Sequence, residues 1–220
     1  MTVSSTGVKP LLLAGGKSAK MKFPKHLLEM PDGRPLYQHQ IDLLSRACPE
    51  APSIYISLAE DSETDPFLQD VAKPDLLTQE APPVAIIYDS ESSGDAQSSG
   101  PAAGLLAAFK AHPQVTWLVI ACDYPLLDVE TLRQLRSAYK PPVACFRNQD
   151  GFCEPLLGIW SPEALSRLAE NAKKGISGPM LTIKDVNGTC LDPPENAKEL
   201  FLNVNTESDW RRALDLIQQL

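Results

Sequence analysis

An α/β fold with a mostly parallel sheet covered on both faces is the architecture this sequence predicts, and three observations predict it. Short apolar runs alternate with amphipathic helical patterns along most of the chain, the order expected of parallel strands joined by crossover helices. The 220 residues suffice for one such domain with a sizeable core. The first apolar run stops at Gly15 and Gly16 and gives way to a basic loop, as a strand does where it hands the chain to a sheet edge.

The elements follow in order. "VKPLLL", "APSIYISLA", "PVAIIYD" and "TWLVIAC" read as short buried strands. "LYQHQIDLLSRA" from Leu36 and "PAAGLLAAFKAH" read as helices, the second with Pro101 at the first helical position. In "DVETLRQLRSAY", Leu132, Leu135 and Tyr139 form one apolar stripe and Asp128 is the candidate N-cap. "SPEALSRLAENAKK" repeats the logic, with Ser161 capping, Pro162 next, and Leu165, Leu168 and Ala172 facing inward. The last helix opens on a capping box, Thr206 and Asp209 in "TESD", and is expected to run to Leu220. Two stretches break the alternation. Ser90 to Gly100 is small and polar, either a solvated insertion or a ligand loop at a strand's carboxyl end. "LDPPENAKEL" reads as a surface excursion between the last strands. Without a repeat or a composition shift, residues 1–220 read as a single domain, with 1–8 as a flexible leader or linker remnant.

Composition narrows the function. An apolar content of 43% and a charged content of 22% are those of a water-soluble globular protein, and a net charge of −8 argues against general nucleic-acid binding. Against that balance, Lys17, Lys20, Lys22 and Lys25 form a local basic cluster. The five cysteines are an odd set without a C-x-x-C pair, which suggests neither a disulfide framework nor a zinc site and favours a reducing compartment, the cytoplasm. No apolar run approaches the ~20 residues that span a bilayer, and "MTVSSTGVKP" lacks the apolar segment of a signal peptide.

Glycines after a strand let backbone N–H groups approach a ligand, successive N–H groups make an anion-binding concavity, and lysines add charge for phosphates. The spacing matches neither a dinucleotide-binding glycine motif nor a Walker A loop, so the residues alone allow either a phosphate cradle or a basic turn. The stretch "LAGGKSAKM…PKHLL" resembles the L-A-G-G-x-S-x-R-M-G-x-x-K-x-L-L signature of nucleotidyltransferases, above all the molybdenum cofactor guanylyltransferase (MobA-like) family. Four further blocks are similar to that family's, in the same order: "GPAAGLLAAF", "ACDYPLL", "EPLLGIW" and "NVNTESDW". The resemblance covers nearly the whole chain. It implies a three-layer, Rossmann-like nucleotidyltransferase fold and transfer of GMP from GTP to the phosphate of molybdopterin, with release of pyrophosphate.

The same resemblance implies the site. Leu13, Ala14, Gly15, Gly16, Lys20 and Lys25 correspond to the nucleotide-binding loop, and Asp89, Gly100, Pro101 and Gly104 to the guanine side. Lys25 and Asp123 take the catalytic positions. Asp123 sits where a carboxylate holds Mg²⁺ against phosphate oxygens, although a D-x-P aspartate also caps turns. Asp89 is likewise open to a turn-forming role at its strand end. Asn205 is implied as an auxiliary Mg²⁺ or phosphate contact and Glu154 as the molybdopterin side. The chemistry requires no activated serine, cysteine or histidine, in keeping with His26, His39 and His112, none in a catalytic setting. "GPAAG" points to GTP rather than a cytidine nucleotide.

Three residues depart from the signature: Lys20 replaces arginine, Lys22 replaces glycine, and Pro24 stands where an acid is usual. Lysine lacks the bidentate fork of arginine, and a side chain at a glycine position crowds the phosphates. The alternative implied is a MobA-like domain impaired in turnover that binds nucleotide, cofactor or a partner. The wording "PKHLLEMPDGRPLYQHQIDLL" is also similar to a fungal group in which such a domain is fused to a sulfurtransferase-like domain servicing formate dehydrogenase. That likeness implies molybdoenzymes, or another domain of a longer chain, as partners.

Overall fold

The computed structural model describes residues 7–15, 21, 23–60, 62, 64, 66–71, 83–89, 102–176 and 178–219. Among these residues seven strands, β1 (Val8–Leu13), β2 (Ile54–Ala59), β3 (Val84–Asp89), β4 (Thr116–Ala121), β5 (Val143–Arg147), β6 (Cys153–Trp160) and β7 (Thr189–Leu191), form one sheet in the order β3-β2-β1-β4-β6-β5-β7. β1 pairs in parallel with β2 and β4, β2 with β3, and β5 with β7. Only β6 runs against its neighbours, so the mostly parallel sheet is borne out.

Among the described residues eight helices accompany the strands: α1 (Leu36–Ala47), α2 (Pro66–Val71), α3 (Ala103–Ala111), α4 (Val129–Ala138), α5 (Pro162–Lys173), α6 (Pro179–Asp185), α7 (Ala197–Leu200) and α8 (Glu207–Ile217). α1 and α4 pack over one face, where Leu43, Leu44, Leu132 and Leu135 meet Leu12, Ile56 and Ile120. α3, α5 and α6 cover the other, with Leu105, Leu165 and Ile183 against Leu11, Val119 and Trp160. Helix–sheet–helix is the three-layer arrangement, and burial on both faces explains why the central strands are continuous apolar runs. Asp128 accepts from the Thr131 N–H and Ser161 from the Ala164 N–H, as caps should.

Four expectations need revision. β1 already begins at Val8, inside the stretch read as leader. α3 starts at Ala103, two residues beyond Pro101, and Pro101 lies outside the described residues together with the Ser90–Gly100 loop. "LDPPENAKEL" follows the last strand instead of joining two and contains the single turn α7. α8 ends at Ile217, where the Gln218 N–H bonds back to the Leu214 carbonyl.

A third, smaller cluster draws the carboxyl-terminal region to the loop after β1. Val204 and Ala213 pack with Met21, Leu28, Met30 and Leu36, flanked by Leu202, Trp210 and Ile217. This packing delivers residues 203–206 to the carboxyl edge of the sheet.

Candidate active site

Strand order reverses between β1 and β4: from β1 the chain crosses first to β2, and later returns to lay β4 on the other side. The crevice outside the carboxyl ends of two such strands is where open α/β sheets bind ligands. β1 delivers Ala14 and Gly15 there, and β4 delivers Cys122 and Asp123. The Ala14 N–H donates to the Ser57 carbonyl at 2.8 Å and the Cys122 N–H to the Leu13 carbonyl at 3.0 Å, which fixes both exits.

Lys25, Asp123 and Asn205 converge at this edge. The Lys25 ammonium donates to Asp123 Oδ2 at 3.1 Å and to Asn205 Oδ1 at 2.7 Å. Both side chains of the ion pair are mostly covered, at 16% and 17% exposure, so solvent screens the pair less than a surface contact. Pro24, the departure that precedes Lys25, fits its place. Its extended backbone (φ −60°, ψ 118°) caps a 3₁₀ turn over Lys25–Leu27, and its carbonyl accepts from the Leu27 N–H. Asn205 is held on three sides: Nδ2 donates to Asn203 Oδ1, its backbone N–H donates to Asp209 Oδ2, and Oδ1 is taken by Lys25. The capping box of α8 therefore anchors the site as well as the helix. The Thr206 hydroxyl, then the Asn205 N–H, hold the Asp209 carboxyl below the ordinary aspartate value of 3.8.

The oxygen donors suit Mg²⁺. Asp123 Oδ1 is buried and has no hydrogen-bond partner among the described residues, and the neighbouring Asn205 contributes an amide oxygen. A hard cation that keeps waters and shares one or two protein oxygens with substrate phosphates fits such a set.

Gly15 and Asp89 meet on one side of this edge. A Cβ at Gly15 would lie 2.7 Å from the Ala59 nitrogen and 2.9 Å from Asp89 Oδ2, so only glycine lets β1 exit against β2 and β3 here. Gly104 plays a similar part in α3, where a Cβ would lie 2.7 Å from Leu13 Cδ2 and 2.9 Å from Ser57 Oγ. On the other side stands Glu154, whose Oε2 accepts from the Tyr124 hydroxyl at 3.0 Å and whose Oε1 accepts from Asn148 Nδ2 at 2.9 Å. Burial, then the Glu154 and Asp123 carboxylates, push the Tyr124 phenol well above its ordinary value, which keeps it a neutral donor. Gln40 secures Tyr124 from beneath, donating Nε2 to its carbonyl at 2.7 Å.

Lys25, Asp123 and Asn205 are thus joined directly, Gly15 touches Asp89, Gly104 touches Leu13, and Glu154 is tied to Tyr124, the residue after Asp123. Gly16, Lys17, Lys20, Lys22, Gly100 and Pro101 lie outside the described residues. Sequence reasoning missed Tyr124, Asn148 and Asn203. Tyr124 and Asn203 stood inside quoted blocks without a role, and Asn148 had no local signal. Burial pushes the Cys122 thiol, beside Asp123, up to about 12, which leaves it no nucleophile.

The helix–sheet–helix scaffold with its strand-order reversal between β1 and β4 has the nucleotidyltransferase class of fold. Residues 10–184 match the MobA-like NTP transferase domain, and the chain belongs to that family. Over 211 residues it is 28% identical to the molybdenum cofactor biosynthesis bifunctional protein of Synechocystis sp., covering 94% of this chain and 54% of that protein. The chain therefore spans about half the length of that relative. A probable molybdenum cofactor guanylyltransferase of Aquifex aeolicus is 27% identical over 92% of this chain and 88% of its own length. The crystal structure of the molybdopterin-guanine dinucleotide biosynthesis protein A of Archaeoglobus fulgidus shares the fold, with a TM-score of 0.69 at 20% identity, over 97% of this chain and 100% of that one.

The cysteines are a correction. Cys153 and Cys190 form a disulfide that links β6 to β7, with Cα atoms 5.8 Å apart. Residues 37 apart in sequence, without a short-range motif, gave no sign of pairing. The pair removes the cysteine-based argument for a reducing compartment. No helix among the described residues is long and apolar enough to cross a membrane.

Proposed function

We propose that the chain is a Mg²⁺-dependent guanylyltransferase that moves GMP from GTP to the phosphate of molybdopterin and releases pyrophosphate. The observation that carries this reading is the Lys25 ammonium bonded to Asp123 and Asn205 at the strand-order reversal. Membership of the MobA-like family and likeness to proteins named as molybdenum cofactor guanylyltransferases give the reaction its substrates.

In this reaction an oxygen of the acceptor phosphate forms a bond to the α-phosphorus of GTP. The bond from that phosphorus to the bridging oxygen breaks, and its electron pair leaves with pyrophosphate. Such transfers depend on positioning and on neutralising charge. Mg²⁺, held by Asp123 with the Asn205 oxygen beside it, would draw charge from the phosphate oxygens. Lys25 supplies a second cation, poised by its two partners to turn toward the triphosphate. The Asp89 carboxylate, against Gly15, accepts from the N1–H and amine of guanine. Glu154, its oxygens aligned by Tyr124 and Asn148, accepts from the N–H edge of the pterin. Gly16, Lys20, Gly100 and Pro101 complete the nucleotide side by family likeness alone.

Calorimetry with GTP, CTP, ATP and UTP, with and without Mg²⁺, tests the reading. GTP should bind best, and Asp123→Ala should remove the Mg²⁺-dependent part of its affinity. Preference for CTP, or a Mg²⁺ effect unchanged in the variant, contradicts it.

A further inference from the structure

β5, β6 and β7 each bring one cysteine to the α5–α6 side of the sheet, Cys145, Cys153 and Cys190, the second of them next to Glu154 in the chain. Their sulfurs lie within 4.8 Å of one another, and no other cluster of three metal-ligating groups occurs among the described residues. Cys145 and Cys190 are register partners in the parallel β5–β7 pair, and Cys153 faces Arg147 across β5 and β6. We propose that, once the Cys153–Cys190 bond is reduced, the three thiols form a binding site for one soft d¹⁰ cation of the Zn²⁺ class.

Geometry and donor type support the assignment. A cation about 2.3 Å from each thiolate in a tetrahedral site sets neighbouring sulfurs ~3.8 Å apart. The Cys145 and Cys190 sulfurs are already 3.9 Å apart. Opening the bonded pair by reduction lets Cys153 take the third corner. Rigid strands hold the ligands, the condition for a site whose geometry is set before the ion arrives. Three sulfur donors select Zn²⁺, Cd²⁺ or Cu⁺ over Mg²⁺, so this site and the oxygen-lined edge at Asp123 take different ions. Cys153 and Cys190 are half-buried, which leaves water access for a fourth ligand. Cys145 is fully buried, and burial, with the Glu154 carboxylate adding and the Arg147 guanidinium opposing, pushes its thiol up to about 12. A thiol so placed is a poor attacker of the adjacent disulfide, but a cation displaces its proton on binding, so affinity should rise with pH.

The test uses the whole chain and Cd²⁺ as the probe. A phosphine first reduces the disulfide: it delivers two electrons to the S–S bond and leaves as its oxide, water supplying the oxygen and the two thiol protons. After anaerobic desalting, Cd²⁺ titration should give a sulfur-to-cadmium charge-transfer band that saturates at one ion per chain. Oxidised protein should give none. The band should vanish in Cys153→Ser with Cys190→Ser, weaken at least about tenfold in affinity in Cys145→Ser, and persist in Cys48→Ser. Bound Cd²⁺ should also shield Cys153 and Cys190 from alkylation, mapped by mass spectrometry, a readout that stands even if Cys145→Ser fails to fold. No saturable band in reduced protein, a band that survives loss of Cys153 and Cys190, or unchanged alkylation of both residues overturns the proposal.

Discussion

Gly15→Ala is a one-carbon change whose consequences follow from the packing around it. The new Cβ would lie 2.7 Å from the Ala59 nitrogen, 2.9 Å from Asp89 Oδ2 and 3.1 Å from the Leu58 carbonyl carbon, where ordinary contact begins at 3.4 Å. Two of the three atoms are backbone of β2, a strand buried along its whole length and hydrogen-bonded between β1 and β3. It cannot retreat without disturbing both neighbours. The cost is that of overpacking, about 1–3 kcal/mol. Taken as ~2 kcal/mol, that lowers Tm by about 4–8 °C for a domain of this size. The atom able to yield is the Asp89 carboxylate, so the same methyl that destabilises the fold should displace the proposed guanine acceptor. Thermal unfolding and GTP calorimetry read the two effects separately, and GTP affinity should fall on the order of tenfold, equivalent to ~1.4 kcal/mol. A variant with unaltered Tm and unaltered GTP affinity would refute both the close-approach argument and the placing of guanine at Asp89.

Gly104→Ala should be milder, because its Cβ meets the ends of the Leu13 and Ser57 side chains rather than backbone, and alanine regains ~1 kcal/mol of helix propensity; Tm should move by less than half of the Gly15→Ala shift. Tyr124→Phe removes the hydroxyl donated to Glu154, a hydrogen bond of roughly 1.5–3 kcal/mol when its acceptor is charged; KM for the pterin should rise about tenfold or more with KM for GTP unchanged, and the reverse pattern would move Glu154 to the nucleotide side. The depressed Asp209 carboxyl stabilises the fold above its ordinary value of 3.8, and that contribution is lost as pH falls through the lower folded value. Asp209→Asn should therefore be less stable than the parent at neutral pH by urea unfolding, with the gap narrowing as the pH falls below 3.8; a gap that does not narrow in acid would deny the carboxylate this role.

The left half of the sheet was legible because β1 to β4 are six-residue apolar runs, each bounded by turn or loop signals. The caps Asp128 and Ser161 and the Thr206–Asp209 box were equally plain, since each is a local pattern with one geometric meaning. The right half was not. β6 carries Pro155 in mid-strand, which argues against a central strand; it is tolerated because the register with β5 jumps from Cys153 to Gly158 and pairing with β4 covers only Leu157–Trp160. β7 has three residues, too few for a period. At the site, Gly15, Lys25, Asp123 and Asn205 came from motif likeness, whereas their convergence depends on α8 packing over the loop after β1, which no spacing reveals. Tyr124, Asn148 and the three clustered cysteines were hidden for the same reason: their partners are set by strand order.

Incubating the chain with Mg²⁺, GTP and molybdopterin, and measuring pyrophosphate together with the pterin–guanine dinucleotide, tests the proposed transfer most directly. Both products should form in equal amounts, dependent on Mg²⁺ and lost in Asp123→Ala while the variant keeps its fold. Binding of GTP without formation of either product, or product formation undiminished in Asp123→Ala, would contradict it.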